Sequence, residues 1–279
     1  MGEKTWDSVV YKESDKGEVL RLFGKYYGES EVSRRSFFEW QHEKSSAGKA
    51  IIRLAKTKAG RVVGFYEVLP QDFLIDNKVV KCSVSVNTLV DEEYRGLGIF
   101  TKLAEDCYSD CVKRGIAFTI GFPNPNSYPG FMGKLGFTDL LEMPLLLKPL
   151  NWRKLLEKKL GKKFDTLSGW MPDYIRKAKE AVAVYEEKKV GGAFDDLFKR
   201  TSRRFDNVTI RDKKFLGWRL GLPDREYKIF SYRKRKEVSG YLVLRVKEVD
   251  GIKNSFMVDF LALVTKSRAV SNTFIPVLG

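Results

Sequence analysis

The chain has 279 residues, with 51 Lys and Arg against 36 Asp and Glu and a formal charge of +15. At 43% hydrophobic and 31% charged it is too apolar for a disordered segment, and its length admits one large or two ordinary domains. No apolar run nears the ~20 residues of a membrane span, and the opening MGEKTWDSVVYKES lacks the apolar stretch of a secretory signal, so the expectation is a cytoplasmic protein. Cys82, Cys107 and Cys111 form no ladder of spacings and predict no disulfide framework. Cys107 and Cys111 stand four apart on a helical pattern without a nearby His, so no metal site is expected. Residues 1–146 carry 20 basic and 20 acidic side chains, whereas residues 147–279 carry 31 and 16. The whole imbalance lies in the second half, which points to two units with different surroundings.

Ser8–Lys12 reads as a short strand, followed by a helix over Lys16–Tyr27 that Gly28 closes. A second helix is predicted over Arg34–Glu43. Three strand-like runs follow, Ala50–Ala55, Val62–Leu69 and Val79–Val90, with turns at Gly60-Arg61 and Asp76-Asn77. Ile99–Arg114 is helix-periodic, Ile116–Phe122 is strand-like, and a Pro/Asn/Gly segment with a short helix leads to a last strand at Leu140–Leu147. This order predicts an α/β fold with a mixed, mostly antiparallel sheet and helices on both faces.

Residues 148–199 read as a basic helical connector, with KPLNWRKLLEKKLGKK and DYIRKAKEAVAVYEEKK both helix-prone. Residues 200–279 then echo the first half. SFFEWQH (Ser36–His42) resembles KFLGWRL (Lys214–Leu220), pairing Trp40 with Trp218. Val62–Tyr66 resembles Val238–Leu242, Asp76-Asn77 resembles Asp250-Gly251, and Val86–Leu89 resembles Val258–Leu261. The expected organisation is a first domain over 1–147, the connector over 148–199, and a partial, degenerate second copy over 200–279.

The segment Leu89-Val90-Asp91-Glu92-Glu93-Tyr94-Arg95-Gly96-Leu97-Gly98-Ile99-Phe100-Thr101 joins a strand to a helix. Its glycines let backbone N–H groups converge, and the helix start adds unpaired N–H groups and a partial positive charge. Together these favour a diphosphate. A dinucleotide fingerprint is excluded, because GxGxxG is absent and the strands before it read as hairpins.

These residues resemble the acyl-CoA motif of the GNAT superfamily of N-acyltransferases, Arg/Gln-x-x-Gly-x-Gly/Ala, at Arg95 and Gly98, departing at Phe100. NPNSYPGFMGKLGF resembles that family's next motif at Asn124, Ser127, Lys134, Gly136 and Phe137. The resemblance covers residues 6–147. It implies transfer of an acyl group, acetyl by the commonest family donor, from acyl-CoA to the amine of a small molecule or amino sugar. Acetyl-CoA would then be the co-substrate. Main-chain groups of Leu89 and Val90 would pair with pantetheine, the amides of Gly96, Leu97, Gly98, Ile99, Phe100 and Thr101 would bind the pyrophosphate beside Arg95, and Asn124 would hold the pantetheine arm.

The transfer also needs a base and a proton for the departing thiolate. The position of the family's usual Tyr falls on Phe131 or Met132, so Tyr128 is the substitute acid, with packing beside Pro125 and Pro129 as the alternative. The fourth strand has no carboxylate, which leaves Glu67 as the base, with a water-facing edge position as the favoured alternative. His42 is read as structural, and Trp40 and Trp218 as packing residues. The basic stretches at 152–163 and 233–237 read as solvated faces, with contact to a membrane surface the less common reading, and no specific nucleic-acid signal is found. The charge of the second half suits an anionic acceptor. Two rival readings remain: a FemABX-like transferase using aminoacyl-tRNA, and a non-catalytic CoA-binding or scaffold module.

Overall fold

Lys16–Tyr27 is helical (α1) and buries Val19, Leu22 and Phe23, an i, i+3, i+4 stripe, against the sheet beneath it. Asp15 fixes its start by accepting hydrogen bonds from the Lys12 amide at 2.9 Å and from Lys56 Nζ at 2.7 Å. The computed structural model describes residues 5–142, 184–234, 236–249 and 251–263. The second predicted helix is present as α2 (Arg35–Phe38), which runs directly into a π turn over Glu39–Glu43.

Four strands, β1 (Asp7–Val10), β2 (Ile51–Lys56), β3 (Val62–Ile75) and β4 (Lys78–Val90), pair antiparallel in that order, and β5 (Thr119–Gly121) joins β4 in parallel. Asp76 and Asn77, with φ of 47° and 61°, make the tight β3–β4 turn that their sequence predicts. α3 (Ile99–Lys113) crosses the opposite face from α1, and a short α4 (Tyr128–Lys134) follows β5. A register shift at Val63 turns Val62 and Phe65 toward α1, and Val63, Tyr66 and Val68 toward α3. Gly64 is required by close approach: an added Cβ would lie 2.5 Å from Ile99 Cγ2 and 2.9 Å from Ala55 Cβ.

Two compact units divide the described residues. The first holds 5–138 together with 190–225, which contribute α5 (Gly192–Ser202), β7 (Asn207–Thr209) and α6 (Lys213–Leu220). β7 pairs with the far end of β3 at Phe73–Ile75. Trp40 and Trp218 stack at 5.0 Å with 13° between their planes, and each indole N–H donates to the other residue's carbonyl, at 2.7 and 2.9 Å. The expectation that both are packing residues fits this reciprocal pair.

The second unit is an antiparallel sheet ordered β6-β8-β9-β10, from β6 (Val184–Glu187), β8 (Lys228–Lys234), β9 (Glu237–Val249) and β10 (Ile252–Ala262). Here the helix-prone reading of DYIRKAKEAVAVYEEKK is corrected, since its Val184–Glu187 is a strand paired with Ile229–Tyr232. Glu187 also accepts hydrogen bonds from Ser231 and Arg233, so pairing with β8 overrides the local helix preference. Residues 143–147 of the last expected strand, and the basic stretch 152–163, lie outside the described residues.

Candidate functional site

Beyond Val90 the chain makes a tight loop and enters α3. Gly96 and Gly98 both adopt left-handed conformations, with φ of 81° and 76°, which a side chain would disfavour. Among the described residues no backbone carbonyl receives the amides of Gly96 or of Gly98 through Thr101, so these N–H groups are left for an external acceptor. An added Cβ at Gly96 or Gly98 would meet nothing within 4 Å, so the space beside both Cα atoms is open.

Asp91 fastens the loop from below. Its fully buried carboxylate accepts from Lys25 at 3.0 Å, Arg61 at 2.9 Å, Tyr26 at 3.1 Å and the Glu93 amide at 3.3 Å. Burial alone would raise its pKa, but hydrogen bonds from Lys25, the Glu93 amide and Tyr26 outweigh that and hold the carboxyl below its ordinary range. Arg95 remains exposed beside the loop, with its guanidinium 6.0 Å from the Tyr26 ring centre.

At the same end of the sheet β5 stops short of β4. β5 pairs with β4 only at Ser83–Ser85 and stops at Gly121, while β4 continues for five residues to Val90. The β5-facing main-chain groups between Val86 and Val90 therefore have no strand partner on that side among the described residues. Ser85, at the point of divergence, donates to Tyr66 Oη at 3.0 Å, and Tyr66 and Tyr108 share a further hydroxyl contact. These bonds tie β3, β4 and α3 together where the strands part. Burial pushes the Tyr66 hydroxyl up to about 12 and the Tyr108 hydroxyl higher still, so both stay protonated at neutral pH.

On the α1 side of the sheet lies a polar cluster inside an apolar layer. Tyr66 faces two residues of β4, Asn87 and Thr88, a bulge in which Asn87 takes φ of 48°. Asn87 Nδ2 donates to Glu67 Oε1 at 2.9 Å and to Gln41 Oε1 at 2.6 Å. His42 Nδ1 lies against the other oxygen of Glu67, with Phe38 at 3.9 Å and Phe65 at 6.0 Å between ring centres. His42 and Glu67 are both buried, and His42 Nε2 has no hydrogen-bond partner among the described residues.

Comparisons with known proteins follow this geometry. Residues 10–139 match the family model described as an acetyltransferase (GNAT) domain. Over these residues the chain is similar to GNAT acetyltransferase domains. Among solved structures, a conserved Enterococcus faecalis protein described as a probable N-acyltransferase aligns with 98% of this chain and 62% of its own at 13% identity and a TM-score of 0.65. A GCN5-related N-acetyltransferase from Anabaena variabilis aligns with 98% of this chain and 63% of its own, at 12% identity and a TM-score of 0.63. Saccharomyces cerevisiae N-myristoyltransferase with bound myristoyl-CoA aligns with 94% and 67%, at 12% identity and a TM-score of 0.56. The chain thus spans less than two thirds of the first two of these structures, and all three likenesses concern the fold. No curated protein matches the chain.

Within the GNAT frame, several expected site residues take on definite surroundings. Phe100, the departure from the motif, points its ring away from the amides and into the layer between Tyr66 and Phe131, at 5.8 and 5.5 Å. Gly130 of α4 makes the room, since a Cβ there would lie 2.7 Å from the Phe100 ring. Asn124 uses its side-chain oxygen locally, accepting the amides of Asn126 and Ser127 at 3.0 Å each, so only its Nδ2 is left to reach a ligand. Tyr128 begins α4 and is 40% exposed.

The favoured water-facing reading of Glu67 is corrected: its exposure is 0%. His42, read as structural, is carried by the π turn and buried against Glu67. Sequence reasoning missed the Gln41–Asn87–Glu67–His42 grouping as a whole. A lone His after a Trp, and a lone Glu in an apolar strand, were its available signals.

Proposed function

We propose that this GNAT-like domain transfers an acyl group, acetyl in the first instance, from acyl-CoA to the amine of a small molecule or amino sugar. The observation that carries the reading is the divergence of β4 from β5 at Ser85, directed toward the twin-glycine loop at the start of α3. In this reading the amides of Gly96 and of Gly98 through Thr101 hold the pyrophosphate and Arg95 adds charge at its edge. The main-chain groups of Leu89 and Val90 hold the pantetheine, and Asn124 contributes no more than an Nδ2 donor.

The acceptor arrives as an ammonium ion and must lose a proton before its nitrogen attacks the thioester carbonyl. The Glu67–His42 pair receives that proton. Because His42 and Glu67 are both sealed from solvent, the proton reaches the pair through intervening water rather than by direct contact with the acceptor. Collapse of the tetrahedral intermediate breaks the C–S bond, and the departing thiolate takes a proton from Tyr128. The products are the amide and free CoA.

We further propose that the second half is a partial copy of the same fold, reaching back to β6. Apart from β7, which lies between the helices of the second stretch and pairs with β3, both run strand, helix, helix, three strands, and their sheets are ordered alike, β1-β2-β3-β4 and β6-β8-β9-β10. Matching backbone bonds close the two sets: Asp91 N–H to Val63 O at 2.8 Å, and Leu263 N–H to Ser239 O at 2.9 Å. An anionic acceptor suits the basic character of this half.

The test is thiol release from acetyl-CoA across amino sugars and small amines, with Tyr128→Phe alongside. Acceptor-dependent release, slowed about 100-fold in the variant, supports the assignment. Tight CoA binding without release would instead favour the non-catalytic reading, and salt-dependent tRNA binding without CoA binding would favour the FemABX-like one.

A further inference from the structure

A cavity lies away from the glycine loop. It measures about 830 Å³ and sits between α5, α6 and the turn end of the β3–β4 hairpin. Val79, on its wall, is eleven residues from Val90 along β4, roughly 36 Å at 3.3 Å per residue. The cavity therefore occupies the opposite end of the strand from the candidate pyrophosphate loop, and it goes beyond the acyl-CoA reading.

Its lining has two chemistries. Leu74, Phe198 and Trp218 give an apolar floor, and the floor is braced, because the Trp218 ring is held by its stack and hydrogen bond with Trp40. Around it stand Lys199, Lys213 and Lys214, all exposed. None of the three ammonium groups has an ion-pair or hydrogen-bond partner among the described residues. Two carboxylates also line the cavity, but each is engaged by backbone: Asp212 accepts the Phe215 amide at 2.7 Å and Asp195 accepts the Lys213 amide. What remains for a ligand is an apolar floor under unpartnered positive charge.

We propose that this cavity is a binding site for a small anionic amphiphile, an apolar chain or ring bearing a phosphate or carboxylate head. The body would lie on Phe198 and Trp218, and the head would be met by the three lysines. Neither part suffices alone: exposed lysines hold a free anion weakly in water, and an open apolar floor does not choose between head groups.

Calorimetry on the full chain tests this with decyl phosphate, decanoate, decyl maltoside and inorganic phosphate, each below any micellar concentration. Decyl phosphate or decanoate is expected to bind about tenfold or more tightly than decyl maltoside or inorganic phosphate. The triple variant Lys199→Glu, Lys213→Glu, Lys214→Glu is expected to lose that binding by about tenfold or more. Val79→Asp, at a position 67% exposed, is expected to weaken it without endangering the fold. Acetyl-CoA titrated into the same variants reports on the glycine loop separately and is expected to be unchanged. Equal binding of the neutral amphiphile, absence of binding by both anionic ones, or indifference to the lysine substitutions would overturn the proposal, whatever the CoA titration shows.

Discussion

Ile51–Val90 and Lys228–Ala262 each run as three antiparallel strands behind a Trp-bearing helix, with a register shift in the last pair of each set. At the position of Glu67 the second set has Val243, and at the position of His42 it has Leu220. Gly96 and Gly98 follow β4, whereas after β10 the sequence has no glycine before Gly279. On the proposed repeat, the hairpin plan is shared, while a buried acid–imidazole pair and a twin-glycine turn into a helix occur once among the described residues. A strand scaffold is specified by apolar alternation and turns, which tolerate many sequences; a polar cluster and a left-handed loop need particular residues.

The sharpest way to break that contrast is at the pair itself. Glu67→Gln keeps the shape and the contact with Asn87 but removes the carboxylate, and kcat is expected to fall by about 100-fold or more with the KM for acyl-CoA little changed. An unchanged kcat would place the proton acceptor elsewhere and reduce Glu67 to a buried structural acid.

Gly98→Glu addresses the loop. The left-handed backbone costs a side chain about 1–2 kcal/mol, and the space beyond the new Cβ is open, so the fold should hold. The carboxylate would then stand among the free amides, and acyl-CoA affinity is expected to drop by about 100-fold or more in calorimetry.

Stability separates the two glycines that occupy matching places in β3 and β9. Gly64→Ala forces Ile99 and Ala55 apart and is expected to cost about 2–3 kcal/mol in denaturant unfolding. Gly240→Ala meets Ala262 Cβ at 3.1 Å and the Leu261 carbonyl at 3.2 Å, and is expected to cost less, under about 1 kcal/mol.

The last of these effects is pH-dependent. Asp91 has its folded pKa below the unfolded value, so its contribution is present at neutral pH and is lost as pH falls through the acid range below about 4. Asp91→Asn is expected to lower stability by roughly 2 kcal/mol at pH 7, with the difference from the parent protein narrowing on acidification. Parallel stability curves across that range would contradict this.

Local signals in the sequence carried much of the architecture. Lys16–Tyr27 has its apolar stripe and its closing Gly28, Asp76-Asn77 tolerates a left-handed turn, and Arg95 to Gly98 announces the loop by its glycines. The Glu67–His42 contact was hidden because two irregularities create it: the shift at Val63 sets which face Glu67 takes, and the π turn over Glu39–Glu43 carries His42. Neither follows from a strand or helix period. β6 was hidden for another reason, since Val184–Glu187 lies in a helix-favouring run and becomes a strand through its pairing with β8.

The central claim, that the anion-binding turn is built once, is tested most directly by the stoichiometry of acetyl-CoA binding to the full chain in calorimetry. One site per chain, lost in Gly98→Glu, is the predicted result. Two sites, or a single site that survives Gly98→Glu in a folded protein, would contradict it.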